Sequence, residues 1–194
     1  MPDMTTPFTS KTSPLLHEPV KVRRISAYAL IIDSDETAPH VLLSKLNHGP
    51  AQGKWNLVGG GIQHGEDPLK AVVREMREES GIIVAADTPR LLTVLSEHVI
   101  HQASHRNRQQ YHPTSPREQL EDFHLIGVIY FVKLNMRAPC KQDGDGDSSD
   151  GCHWFPIEEV MRDTEDRFVT FAAQALAAAQ ALTTTQDLKA PKPI

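Results

Sequence analysis

Three glutamates, Glu75, Glu78 and Glu79, stand at i, i+3 and i+4 in the segment PLKAVVREMREES. On a helix they share an arc of about 100°. Like charges that close repel one another and cost stability, and a hard dication among them offsets that cost. Mg2+ takes oxygen ligands, keeps several waters and prefers one or two carboxylates together with substrate phosphates. In such a place it neutralises polyphosphate charge and polarises a phosphoryl oxygen. Arg74, immediately before the cluster, is suited to holding one carboxylate in a bidentate pair. Upstream lie Gly59, Gly60 and Gly61, where backbone bare of side chains can come close to a metal or phosphate. They precede a helix N-terminus, whose unpaired N–H groups favour anions.

The elements that must position these residues follow from local signals. A helix is predicted over Pro68–Ser80, with Asp67 as N-cap, Pro68 at the first helical position and Gly81 as the stop. Leu69, Val72, Val73 and Met76 make one apolar stripe beside the acidic arc. Strands are expected at 21–32, buried on both faces, and at 40–46, the two forming a hairpin. Further strands are expected at 55–58, 82–85, 91–100 and 123–134, with the glycine triplet read as a break that no strand would choose. Residues 101–121 read as a polar excursion, 141–151 as a loop, 156–162 as a short helix and 165–182 as an Ala-rich helix. Strands before, between and after the first helix predict an α/β fold, a mixed sheet covered by helices. Residues 1–20 read as a mobile arm, 21–182 as the folded domain and 183–194 as a flexible tail.

From Gly60 the chain reads G-x5-E-x7-R-E-M-x-E-E-x-G-I, carried by Gly60, Glu66, Arg74, Glu75, Met76, Glu78, Glu79, Gly81 and Ile82. This resembles the Nudix box at every defined position. The flanks GKWNLVGGG (53–61) and HWFPIEEV (153–160) are similar to segments of that family as well, although Val58 stands where proline is common. The resemblance covers roughly 21–182 and implies an α/β/α sandwich around a mixed sheet. It implies hydrolysis of a nucleoside diphosphate linked to another group by water attack at phosphorus, with Mg2+ or Mn2+. By position, Glu78 and Glu79 would be the principal metal ligands and Glu75 a ligand or the base that activates water. Gly60 would offer its carbonyl, Arg74 would orient a glutamate and Glu66 would support the loop and helix.

Beyond the box, the family often adds one more acid from a later loop. Glu97, Glu118, Glu121 and Asp122 are candidates, and Glu121 is favoured because it enters a strong strand. Lys45 stands where the family often places a basic phosphate contact, with Arg23 and Arg24 as alternatives. The segment 98–117, with Arg106, Arg108 and Arg117, gathers basic residues in an acidic chain and is suited to gripping phosphates. Asp143, Asp145 and Asp147 resemble the start of a calcium loop, but Trp154 occupies the twelfth position, so an EF-hand is rejected. No sub-family signature fixes the substrate.

Lys plus Arg number 20 against 25 for Asp plus Glu, a formal charge of −5. That balance argues against sequence-independent nucleic-acid binding, and no specific DNA binding is expected. No apolar run is long enough to span a bilayer, and the first 20 residues hold no secretory core, so a cytoplasmic protein without a membrane partner is expected. A homodimer is compatible with these features. Cys140 and Cys152 read as free thiols. Two rival functions are a nucleotide-sensing regulator and an isoprenoid diphosphate isomerase. The first usually carries a winged-helix domain and often a damaged box, whereas the box here is intact, and the second needs a cysteine in another context.

Overall fold

The structure is a computed structural model, and it describes residues 18–33, 37–49, 51–102, 120–143 and 149–184. Six strands form one sheet: β1 (Val20–Asp33), β2 (His40–Leu46), β3 (Trp55–Gly61), β4 (Arg90–Gln102), β5 (Leu120–Leu134) and β6 (Ser149–Pro156). Their order is β4-β5-β1-β3-β2-β6. β1 and β5 run parallel over the whole of β1, and the other pairings are antiparallel, so the sheet is mixed.

Helix α1 (Pro68–Glu75) continues into a π-helical turn, Met76–Ser80. α2 (Ile157–Met161) and α3 (Thr170–Thr184) follow β6. Alternation along β1 feeds two cores, as the period of two requires. Ala27, Ala29 and Ile31 pack with Val58, Val72 and Met76 under α1. Tyr28 and Leu30 pack with Ile129, Phe171 and Leu176 under α3. The expected α/β/α layering is present. Among the described residues no helix is long and apolar enough to cross a membrane.

Several expectations need correction. Gly59, Gly60 and Gly61 do not break β3. They pair with Tyr28, Ala27 and Ser26 as its last residues, and the space a Cβ would need is taken by β1 at Gly59, by Glu75 of the helix at Gly60 and by the Arg24 side chain at Gly61. Residues 82–85 form no strand. Ile82 is buried against the α1 core, but Ile83 is exposed, and the run turns at Ala85–Thr88 instead of finding a partner strand. β6 was hidden in what reads as loop and helix lead-in, since Gly151 interrupts its pattern. It pairs with β2 from Ser149 to Pro156. The last helix starts at Thr170 rather than 165. The Asp163 carboxylate accepts from the N–H groups of Glu165 and Phe168, and Trp55 exchanges backbone bonds with Arg167 and Val169, so this stretch is held against β3. The arm at 1–17, most of the excursion at 103–119 and the tail at 185–194 lie outside the described residues.

Candidate active site

The start of α1 follows from its local chemistry. The Asp67 carboxylate caps the Leu69 N–H at 2.9 Å, and Pro68 sits in the first turn. The loop before it is closed by Glu66, which accepts from the Gln63 N–H at 2.9 Å. Gly81 ends the helix at φ 75°, a left-handed conformation that glycine adopts without a Cβ clash.

Arg74 is the hub. Its Nε and Nη2 donate to the two oxygens of Glu66, both at 2.9 Å, a bidentate pair. Nη1 donates to Glu75 Oε1 at 2.7 Å and to Glu78 Oε2 at 3.0 Å. Nη2 also reaches the Gly61 carbonyl at 3.2 Å. The hydrogen bonds from Arg74 hold the Glu66 carboxyl down at about 2. Reciprocally, Glu66 and then Glu75 push the guanidinium further up. Glu75 is raised instead, because its burial outweighs the pull of Arg74.

The glycine strand lies directly against this cluster. A Cβ on Gly60 would fall 2.8 Å from Glu75 Oε1, inside contact distance. The Gly59 N–H donates to Glu79 Oε2 at 3.0 Å, and Glu79 is buried. The helix end is tied down from far away in sequence. Lys141 Nζ donates to the Glu78 carbonyl at 2.7 Å, and the Lys141 N–H to the Ser80 carbonyl at 3.0 Å. The Cys152 thiol points to the Glu79 carbonyl at 3.6 Å.

The structure thus brings Gly60, Arg74, Glu75, Glu78 and Glu79 together. It separates Glu121 from them. Gly60 is level with Ala27 and Val128, whereas Glu121 is level with Val20, seven positions along the strand, or about 23 Å. Glu121 is buried there 3.7 Å from His101. Of the other acids, Glu97 opposes Leu125, which faces the α3 side and not the α1 side. Lys45 is also misplaced. It pairs with Trp55, five residues before Gly60, and its ammonium lies 6.0 Å from the Trp55 ring centroid. A further cation beside the cluster is Arg24, whose guanidinium lies over Gly61 and, after Arg74, works against the rise that burial imposes on Glu75. Arg106, Arg108, Arg117 and Glu118 lie outside the described residues.

Among the described residues no three acidic, His or Cys side chains converge to enclose a metal ion. Two carboxylates, Glu75 and Glu78, do converge on the single Nη1 of Arg74, and the backbone of Gly60 sits against Glu75 with no room for a Cβ. An all-oxygen set with one or two carboxylates fits Mg2+ or Mn2+, which complete their shells with water and phosphate. Lys141 and the Gly59 N–H escaped the sequence reading. Lys141 lies some 60 residues from the motif and carries no local signal.

Residues 22–178 match the sequence profile of the NUDIX domain. Nudix hydrolase 25 of Arabidopsis thaliana is 36% identical over 66 residues, which is 32% of this chain and 35% of that protein. The chain therefore spans about a third of that relative's length. The NUDIX domain of Shewanella oneidensis NrtR, crystallised with ADP ribose, superposes with a TM-score of 0.60 at 15% identity, covering 84% of this chain and 89% of that one. A MutT NUDIX hydrolase from Burkholderia pseudomallei gives 0.56 at 21% identity, covering 81% and 98%. At these identities the likeness to the two structures is one of fold.

Proposed function

The chain belongs to the Nudix family, and on that footing we propose that it is a divalent-metal-dependent hydrolase of nucleoside diphosphates linked to a further group. The observation that carries this reading is the convergence of Glu75 and Glu78 on Arg74 against the backbone of Gly60. Bound Mg2+ or Mn2+ supplies Lewis-acid polarisation of a phosphoryl oxygen. Glu75, Glu78 and Glu79, with the Gly60 carbonyl, would hold it. Arg74 fixes two of those carboxylates at once and is itself anchored by Glu66, so the ligands are preorganised rather than gathered on binding. Glu75, buried beside Gly60, is also placed to take a proton from the attacking water.

Arg24, next to Gly61, takes the role of a phosphate-holding cation in place of Lys45. Arg106, Arg108 and Arg117 are proposed to grip further phosphates or the leaving group. Changing one to Ala should raise KM more than it lowers kcat. The Nudix domain that binds ADP ribose in the structural neighbour makes ADP-ribose a natural member of the test panel.

The test is a hydrolysis screen against (d)NTPs, ADP-ribose, dinucleoside polyphosphates, sugar nucleotides and capped RNA. At least one should release phosphate or nucleoside monophosphate with Mg2+, stop in EDTA and resume when Mg2+ is restored. Full turnover in strong chelator, or none on any substrate, would overturn the proposal. A purely nucleotide-sensing regulator would bind members of the same panel and leave them intact.

A further inference from the structure

The glutamates sit on the last turns of a helix, and the carbonyls of a helix end need partners from outside it. Here the last turn is π-helical and ends at Gly81. Gly81 N–H serves the Arg77 carbonyl and Ser80 Oγ serves that of Met76. The next carbonyls along are met from far away in sequence, by Lys141 and by Cys152 of β6. Lys141 Nζ serves Glu78, the Cys152 thiol serves Glu79 and the Lys141 N–H serves Ser80. Lys141 is in turn fastened to β6, because its carbonyl accepts from the Cys152 N–H at 2.8 Å. The stem of Lys141 runs past Gly81, 3.4 Å from where a Cβ would lie.

We propose that Lys141 is a positioning residue of the metal site. It holds the backbone of Glu78 and Ser80 so that the carboxylates of Glu78 and Glu79 point to one place. This rests on the metal-site reading given above. A cation on the final carbonyls of a helix is the favourable sense of the helix dipole. Lysine reaches them from outside the helix, so it acts through Glu78 and touches no substrate. Two effects of the ammonium oppose each other. As a clamp it favours metal binding by fixing the ligands. As a bare positive charge near the site it disfavours a dication.

These are separated by titrating Mn2+ into the full chain, followed by electron paramagnetic resonance, with thermal unfolding measured alongside. Lys141→Met keeps the stem and removes the donor, and Lys141→Arg keeps a donor. The expected result is Mn2+ binding about fivefold weaker in Lys141→Met, the size of one lost cation contact at a helix end, and affinity within about twofold of the unaltered chain in Lys141→Arg. Titrations are run well below the unfolding temperature of the weakest variant, so that a purely structural loss, which lowers Tm alone, is distinguished. Unchanged Mn2+ affinity in Lys141→Met overturns the proposal, and so does tighter binding, which would mean that the charge outweighs the clamp. If the unaltered chain binds no Mn2+, the metal-site reading falls first and this proposal with it.

Discussion

Two charged regions of this sheet invite comparison. One is the glycine end of β3 with the α1 helix. The other is the far end of the β4–β5 ribbon. Both hold carboxylates beside cations or histidines. In the ribbon the groups are divided between the two faces of the sheet. His101 faces Glu121 in register, and His98 meets Asp122. At the glycine end three carboxylates share one guanidinium, and a fourth is tied to the adjacent backbone N–H. The proposed metal site rests on this gathering of carboxylates on one helix turn beside Gly59 and Gly60. Buried acids exist at both ends, so burial alone does not mark the site.

The largest expected effect separates the two regions directly. Glu78→Gln or Glu79→Gln should lower turnover at saturating Mg2+ by at least ~100-fold, the scale of lost transition-state charge stabilisation. Glu121→Gln should leave it within about twofold, because its level on the sheet is remote from Gly60. Equal losses for all three in steady-state kinetics would erase the distinction drawn here.

Next in size is the glycine contact. Gly60→Ala puts a methyl group 2.8 Å from Glu75 Oε1, inside contact distance, so the carboxylate must shift. Turnover should fall about tenfold, as for a misplaced catalytic group, with a stability loss of about 1–3 kcal/mol from overpacking. Wild-type kinetics would show that Glu75 has slack the geometry does not suggest.

The hub itself can be probed by pH. Glu66 has its carboxyl lowered from 4.5 to about 2 by Arg74. A lowered carboxylate contributes stability that is complete above its unfolded value and lost as pH falls through the folded one. The Tm advantage of the unaltered chain over Glu66→Gln should therefore be widest above pH 4.5 and shrink toward pH 2. An advantage that stays constant down to pH 2 would contradict the pairing.

The smallest effect is at Lys45. Lys45→Ala should leave kcat and KM unchanged within error and cost about 0.5 kcal/mol through its lost contact with Trp55. A clear rise in KM would return it to the substrate site.

What the sequence by itself determined is local. Asp67, Pro68 and Gly81 delimited the glutamate helix, because capping is a matter of one residue and its neighbours within a few positions. The spacing of Gly60, Glu66, Arg74, Glu75, Glu78 and Glu79 picked out the residues of the candidate site, because those residues meet within a single strand-turn-helix unit. The two-sided burial of β1 was also legible in its unbroken apolar run. Tertiary structure decided what depends on register. It set Glu121 some seven positions from the site and Lys45 beside Trp55. It kept the glycine triplet inside β3, paired β6 with β2 despite Gly151, and delivered Lys141 to the Glu78 carbonyl. Strand pairing joins residues whose separation in the chain carries no trace of the contact, so a strand's neighbours, and the level at which each side chain meets them, are fixed only when the sheet closes.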